Sequence, residues 1–187
     1  CSEIVPSVSM KLEKIPTSLP EQALEHQQAT EHIPDHAQAD LPFLEIGETG
    51  PAGGWIFYDK GFVSDGWRYL EAAPSDQSTG TEWGCYGTII PGADGTAVGT
   101  GEQNTIDIEA GCTTAGIAAD ICANLSLGGY SDWFLPSKDE LNLMYENLKV
   151  FGVGGFANDY YWSSSELNAN LAWGQNFGDG GLGTSYK

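Results

Sequence analysis

The sequence predicts an α+β fold: a twisted antiparallel sheet with two helices, preceded by an extended N-terminal tail. Two observations carry this. Strand-like runs open and close the globular part while helical periodicity occupies its middle, which is not the alternation that builds a parallel sheet. The composition also shifts sharply. Residues 1–45 contain no Gly, Trp or Tyr and a single Phe, Phe43, whereas Gly, Trp, Tyr, Asn and Ser are dense from Gly47 onward. With 187 residues, 41% of them hydrophobic, the chain holds one medium core plus a tail.

Residues 1–45 are expected to be a tether. Pro6, Pro16, Pro20, Pro34 and Pro42 punctuate a stretch too poor in apolar surface to fix a fold, with a short helix expected at Gln22 to Gln28. His26, His32 and His36 all lie here. His32 and His36 have the i,i+4 spacing of a helical metal chelate, but Pro34 between them breaks such a helix, so a solvated tail is expected. The chain starts Cys1-Ser2-Glu3, as a mature bacterial lipoprotein does, and a lipid on Cys1 is expected. No apolar run reaches the ~18 residues of a membrane-spanning helix.

The domain is expected over 46–187. Gly54 to Tyr58 and Trp67 to Ala72 read as strands, joined through a hairpin turn at Asp65-Gly66. Residues 75–102 are rich in turn formers and show no regular element. Apolar positions Ile117, Ala118, Ile121, Cys122 and Leu125 have helical spacing, which predicts a helix over Thr114 to Leu125 ended by Gly128-Gly129. Ser137-Lys138-Asp139-Glu140 is a capping box, followed by Leu141, Met144, Tyr145 and Leu148 on one face. Tyr160 to Ser163 and Leu171 to Phe177 read as strands, and Gly178 to Gly181 as a turn.

The formal charge is −19, from 26 acidic and seven basic residues, and there is no cluster of Lys or Arg. Nucleic acid and anionic headgroups, which need cationic neutralisation, are disfavoured as partners. Apart from Cys1, three cysteines remain, so one disulfide and one thiol are expected. Of the three pairings, Cys85 with Cys112 is preferred. It would staple the irregular region by closing a loop of roughly 27 residues, for ~3 kcal/mol.

Nucleophilic catalysis wants a base beside the nucleophile, most often His, and the domain has none. Ser163-Ser164-Ser165 therefore reads as a strand end with satisfied hydroxyls, and no enzymatic activity is expected. No P-loop, H-E-x-x-H or Cys-x-x-Cys motif is present. Asp94-Gly95 and Asp179-Gly180 sit in Gly-rich turns with carbonyls nearby, a setting that suits Ca²⁺ and also ordinary turn chemistry. Asp94 and Asp179 are accordingly the candidate calcium ligands.

Several blocks occur together in a fixed order. They are Ile46-Gly47-Glu48-Thr49-Gly50-Pro51-Ala52-Gly53-Gly54; Gly66-Trp67-Arg68-Tyr69-Leu70-Glu71-Ala72-Ala73-Pro74; Trp83-Gly84-Cys85; Gly99-Thr100-Gly101 with Asn104-Thr105; Gly129 through Leu141; and Tyr161-Trp162-Ser163-Ser164-Ser165-Glu166 with Ala172-Trp173 and Asn176-Phe177. From about Ile46 to Phe177 the chain resembles the C-terminal domain family of the Legionella collagen-like protein. The resemblance implies a C-type-lectin-like α+β fold, related to that of formylglycine-generating enzymes, on bacterial surface lipoproteins and adhesins. The founding adhesin of that family is a trimer that binds sulfated glycosaminoglycans.

Two departures matter. From Gly47 the chain carries 18 acidic and five basic residues, a balance of −13, which does not suit sulfate recognition by Arg and Lys. Members of the family also continue past the final turn into a closing strand, whereas this chain reaches Tyr186-Lys187 and stops. A strand supplied by a neighbour would complete the sheet, so a homo-oligomeric trimer, sheath or filament is the alternative reading. The leading expectation is a lipid-anchored surface or extracellular module that binds a glycan or protein. Tyr160, Asn168, Asn170, Trp173 and Gln175 are its candidate contact residues. Trp162 and Trp173 also read as core, which leaves the amides as the better surface candidates.

Overall fold

A computed structural model of the chain describes residues 10–14 and 43–187. Cys1, the three histidines and the helix expected at Gln22 to Gln28 lie outside the described residues. The fold is mixed α+β, with two small antiparallel sheets and three α-helices among the described residues.

The first sheet is built on a hairpin. Strands β2 (Trp55–Ser64) and β3 (Trp67–Ala72) are joined at Asp65-Gly66, where φ is +54° and +83°. Two consecutive left-handed residues are what a tight hairpin with the strands' own twist requires, and Asp-Gly supplies them. Strand β1 (Met10–Lys14) comes from the stretch expected as tether and lies between β3 and β4 (Trp133–Phe134), giving the order β2-β3-β1-β4. Met10 stands opposite Ala72 on one side and Phe134 on the other.

A buried carboxylate organises the entry to this sheet. Glu71 is fully buried on β3 and accepts from the Gly54 N–H at 2.5 Å and the Ala52 N–H at 3.3 Å. The Gly-rich block follows from this approach: a Cβ at Gly50 would overlap the Glu71 carboxylate, and one at Gly54 would overlap the Ala72 carbonyl oxygen.

Helix α1 (Gly101–Gly111) was not expected. Its inward stripe is Gly101, Asn104, Thr105 and Ile108, a helical i, i+3, i+4, i+7 series made mostly of polar or small residues. Asn104 Nδ2 donates to the Gly95 carbonyl at 2.6 Å and to Ser164 Oγ at 3.1 Å, and Thr105 Oγ1 donates to Gly101 O at 2.8 Å. Hydrogen bonding thus substitutes for an apolar face. Helix α2 (Ala118–Ala123) is shorter than the expected Thr114 to Leu125 helix. Gly116 holds a left-handed φ of +78° just before it, and Leu127 and Tyr130 form a bridge around Gly128-Gly129 rather than a helix cap.

Helix α3 (Lys138–Asn147) begins at the predicted capping box. Ser137 Oγ accepts from the Glu140 N–H, and Glu140 Oε2 accepts from the Ser137 N–H at 2.6 Å. Glu140 also reaches the turn leading into α1, accepting from the Gly99 N–H at 2.7 Å. Leu141 and Met144 of α3, with Leu148 at its C-cap, join Phe57, Leu70, Phe134, Tyr161 and Phe177 in one core cluster between the sheets.

The second sheet is β5 (Tyr160–Asn168), β6 (Leu171–Asn176) and β7 (Leu182–Tyr186), in that order. The residues after the Gly178 to Gly181 turn thus form the closing strand within this chain, paired along β6 from Leu171↔Tyr186 to Gln175↔Leu182. The strand expected to be missing is present. One face of the sheet meets α3. The other meets a second cluster of Trp83, Ile90, Ile108, Cys112, Cys122, Leu135 and Trp162.

Candidate ligand-binding face

One end of the second sheet gathers the turn between β5 and β6, the 85–90 loop and the last residues of β7. Asn168 Oδ1 accepts from the N–H groups of Asn170 at 2.9 Å and Leu171 at 3.1 Å, so its side chain closes the turn. The Ala169 carbonyl accepts from the Gly87 N–H at 2.8 Å, and the Asn170 carbonyl from the Lys187 N–H at 3.1 Å. These bonds stitch three segments together.

A buried ion pair lies beneath them. Glu166 accepts from the Ile90 N–H at 3.1 Å through both carboxylate oxygens. Lys187 Nζ meets Glu166 Oε1 at 2.5 Å and donates to the Thr88 carbonyl at 2.7 Å. The ammonium also sits 4.5 Å from the centre of the Trp83 ring. The Lys187 side chain is fully buried, and that of Glu166 is 4% exposed. The disulfide Cys85–Cys112, with Cα atoms 5.7 Å apart, fixes the start of the same loop.

The surface over this clamp is apolar and aromatic. Tyr86, Ile89, Leu167 and Tyr186 are 60%, 63%, 48% and 57% exposed. The Tyr86 and Tyr186 rings meet edge to face with centroids 5.9 Å apart. Exposed aromatics on a frame fixed by a disulfide and a buried ion pair lose little freedom on binding, which is the property of a pre-organised contact surface. Asn168 and Asn170 lie on this face and are exposed, as expected of contact residues.

The other sequence candidates stand elsewhere. Gln175 is fully buried rather than a surface residue. Its Nε2 donates to Asn142 Oδ1 of α3 at 2.9 Å and to the Gly180 carbonyl at 3.1 Å, so it ties α3 to the β6–β7 turn. Trp173 is half-buried, with Lys138 Nζ 5.0 Å from its ring centre. Tyr160 is half-buried and lies across the sheet, where a Cβ at Gly183 would overlap its hydroxyl and one at Gly174 would come within 3.2 Å of its ring. Trp162 is fully buried. Tyr86, Ile89, Leu167 and Tyr186 escaped sequence reasoning; the available signal was an aromatic beside a cysteine in a Gly-rich loop.

Asp94 is exposed, and Asp179 is exposed with its Oδ1 accepting from the Gly181 N–H at 2.9 Å, the bond of an ordinary Asx turn. Among the described residues no group of three or more His, Cys, Asp or Glu side chains is placed to hold a metal. The string Gly178-Asp179-Gly180-Gly181-Leu182-Gly183 has the G-x-G-x-x-G form, but it leads into strand β7 and not into a helix N-terminus that could hold a phosphate.

The serines of β5 are all buried and bonded. Ser163 Oγ donates to the Trp173 carbonyl at 2.9 Å, Ser164 Oγ accepts from Asn104 at 3.1 Å, and Ser165 Oγ donates to the Gly95 carbonyl at 2.6 Å. Each of the five basic side chains from Gly47 onward also has an internal partner. Besides Lys187, these are Lys60 with Asp65, Arg68 with Asp59 at 2.8 Å, Lys138 with Asp139, and Lys149 with the Phe156 carbonyl at 2.6 Å.

Among the described residues no helix is long and apolar enough to cross a membrane. No protein-family model, no curated protein and no solved structure matches the chain.

Proposed function

We propose that this chain is the binding module of a bacterial surface lipoprotein, held by a lipid on Cys1, with a C-type-lectin-like domain that recognises an extracellular glycan or protein without transforming it. The observation that carries this reading is the clamped Tyr86–Tyr186 face. It presents aromatic planes, aliphatic side chains and turn amides with no exposed cation among them, the chemistry that stacks on a neutral sugar ring or anchors a protein contact. The internal pairing of all five basic groups argues against a sulfated ligand. The bonded serines, with no histidine in the domain, argue against a nucleophilic site.

A glycan array probed with the full chain, with and without Ca²⁺, tests the reading. Neutral glycan binding that weakens by roughly 30-fold in Tyr86→Ala and Tyr186→Ala, with unchanged Tm, is the expected result for aromatic hot spots. Binding confined to heparin-like sugars would overturn it. Mass spectrometry of Cys1 in native material tests the anchor, and an unmodified Cys1 removes that part of the proposal.

A second reading, a homo-oligomeric surface assembly, is favoured by β7. It is the terminal strand of its sheet, and Leu182 to Tyr186 includes neither Pro nor a charged residue, the usual guards of a sheet edge. Mass photometry separates the two: a defined oligomer without ligand supports assembly, and a monomer supports ligand capture.

A further inference from the structure

Strand β7 is the terminal strand of the second sheet, and two bonds at the ends of its pairing with β6 show which way its backbone points. The Asn176 N–H donates to the Gly181 carbonyl at 2.9 Å, and the Lys187 N–H donates to the Asn170 carbonyl at 3.1 Å. Both continue the register that sets Gln175 opposite Leu182 and Leu171 opposite Tyr186. In an antiparallel ladder every second residue aims both its N–H and its C=O at the same neighbour. Gly181, Gly183, Ser185 and Lys187 therefore bond toward β6. Leu182, Thr184 and Tyr186 aim their backbone groups outward, where no strand stands among the described residues.

The side chains of the same three residues lie on the α3 side of the sheet, since Leu182 stands opposite Gln175 and Gln175 bonds Asn142 of α3. Leu182 is 42% and Tyr186 57% exposed, and Thr184 is half-buried. On the other side Gly183 lies against the Tyr160 hydroxyl, so closely that a Cβ there would overlap it, and this braces the strand at its centre. The net charge from Gly47 onward is −13, yet no charged residue falls within Leu182–Tyr186.

We infer that β7 pairs antiparallel with β7 of a second copy of this chain, about a two-fold axis at Thr184, and joins the two sheets into one. The inference rests on the assembly reading above and gives it an interface. The bonding sets the register. With Thr184 opposite Thr184 of the second copy, and Leu182 opposite its Tyr186, every outward N–H meets an outward C=O. A slip of one residue sets outward groups against inward ones, and a slip of two leaves an end unpaired. The side chains suit the same register: Thr opposite Thr is a favourable cross-strand pair, and Leu182 lies beside a Tyr ring that it can cover. Two strongly acidic domains approach best through a stretch without carboxylates, which β7 supplies; a basic partner would be steered to the carboxylates instead. Five residues a side make a small interface, so the dimer is weak and reversible.

The test compares the full chain, labelled with ¹⁵N, at about 50 µM and about 1 mM, by analytical ultracentrifugation and amide hydrogen exchange, a range that brackets a weak interface. A dimer is expected at the higher concentration. Protection should rise there at Leu182, Thr184 and Tyr186 and stay level at Gly183 and Ser185, whose N–H groups already face β6. Raising NaCl from about 20 mM to about 300 mM is expected to tighten the dimer several-fold by screening the like charge of the two copies. Thr184→Pro deletes only an outward N–H, so Tm is expected to hold while self-association weakens about 30-fold. Should that variant lose Tm, Thr184→Asp, which sets two carboxylates on the axis and keeps the backbone, must weaken the dimer in its place. A chain monomeric throughout overturns this inference and the assembly reading together. An oligomer that neither variant weakens, with no alternating protection, keeps the assembly reading and removes β7 as its interface. Alternating protection that appears only when an acetylated, amidated Val-Thr-Val-Thr-Val peptide is added to a monomeric chain gives the edge to a foreign strand and overturns self-pairing.

Discussion

Replacing Lys187 by Met removes one half of a pair whose other half stays buried. Glu166, 4% exposed, would keep its two bonds from the Ile90 N–H while losing the ammonium at 2.5 Å. The Thr88 carbonyl would lose its donor as well. Breaking a buried pair on one side costs about 3–5 kcal/mol. The surviving Ile90 bonds place this case near the lower end, at about 3 kcal/mol, which for a domain of this size lowers Tm by roughly 6–12 °C. Glu166→Gln in the same chain removes the stranded charge yet keeps an oxygen for the Ile90 N–H. The double variant Glu166→Gln/Lys187→Met is therefore expected to recover to within about 1.5 kcal/mol of the parent. Thermal and urea unfolding followed by circular dichroism would measure all three proteins. A loss below about 1 kcal/mol in Lys187→Met, or a double variant no more stable than that single one, refutes the argument that the charge pair holds the 85–90 loop.

Two further predictions rest on other features. Reducing Cys85–Cys112, or replacing both cysteines by Ser, frees a 27-residue separation and is expected to cost roughly 3–4 kcal/mol, read as a lower urea midpoint with the aromatic face loosened first; an unchanged midpoint would remove the staple from the account. Burial pushes Glu140 up to about 7, against the pull of its backbone N–H donors, and Glu109 is likewise pushed up to about 7 from an ordinary 4.5. Both groups bind protons more tightly folded than unfolded. Their contribution is complete below about 4.5 and is lost as pH rises through 7, so the urea midpoint is expected to fall between pH 5 and pH 8, and less so in Glu109→Gln. Asp59, held below 3.8 chiefly by its hydrogen bond from Arg68, acts only at lower pH and does not offset this; a midpoint that rises over the window contradicts the reasoning.

The parts of the fold that were legible in the sequence are those whose local chemistry dictates their geometry. Asp65-Gly66 supplies two left-handed residues, Ser137 to Glu140 closes a helix N-terminus on itself, and the spacing of Cys85 and Cys112 suits a staple across irregular chain. Helix α1 was invisible because its buried stripe is Gly, Asn, Thr and Ile, and hydrophobic periodicity cannot register an interface made of hydrogen bonds to Gly95, Ser164 and Leu135. Gln175 misled for the same reason: an amide in a strand reads as surface, yet the period of β6 turns it toward α3, where its Nε2 donates to Asn142 Oδ1. Asn168 and Asn170 were legible because they sit in a turn. Tyr86 and Tyr186 were not, because the ion pair that brings them together joins residues distant in sequence.

Strand β1 changes how the chain can be divided. Composition draws a border near residue 45, but Met10–Lys14 occupies the interior of the first sheet, and among the described residues β1 is the strand paired with β4. Cutting at that border would not release a finished unit. It would pull out an inner rung, leaving the Trp67–Ala72 and Trp133–Phe134 backbones facing a gap with ladder donors and acceptors unmet. The assembly of this sheet therefore waits on its most sequence-remote contact, an ordering cost that slows folding more than it weakens the finished structure.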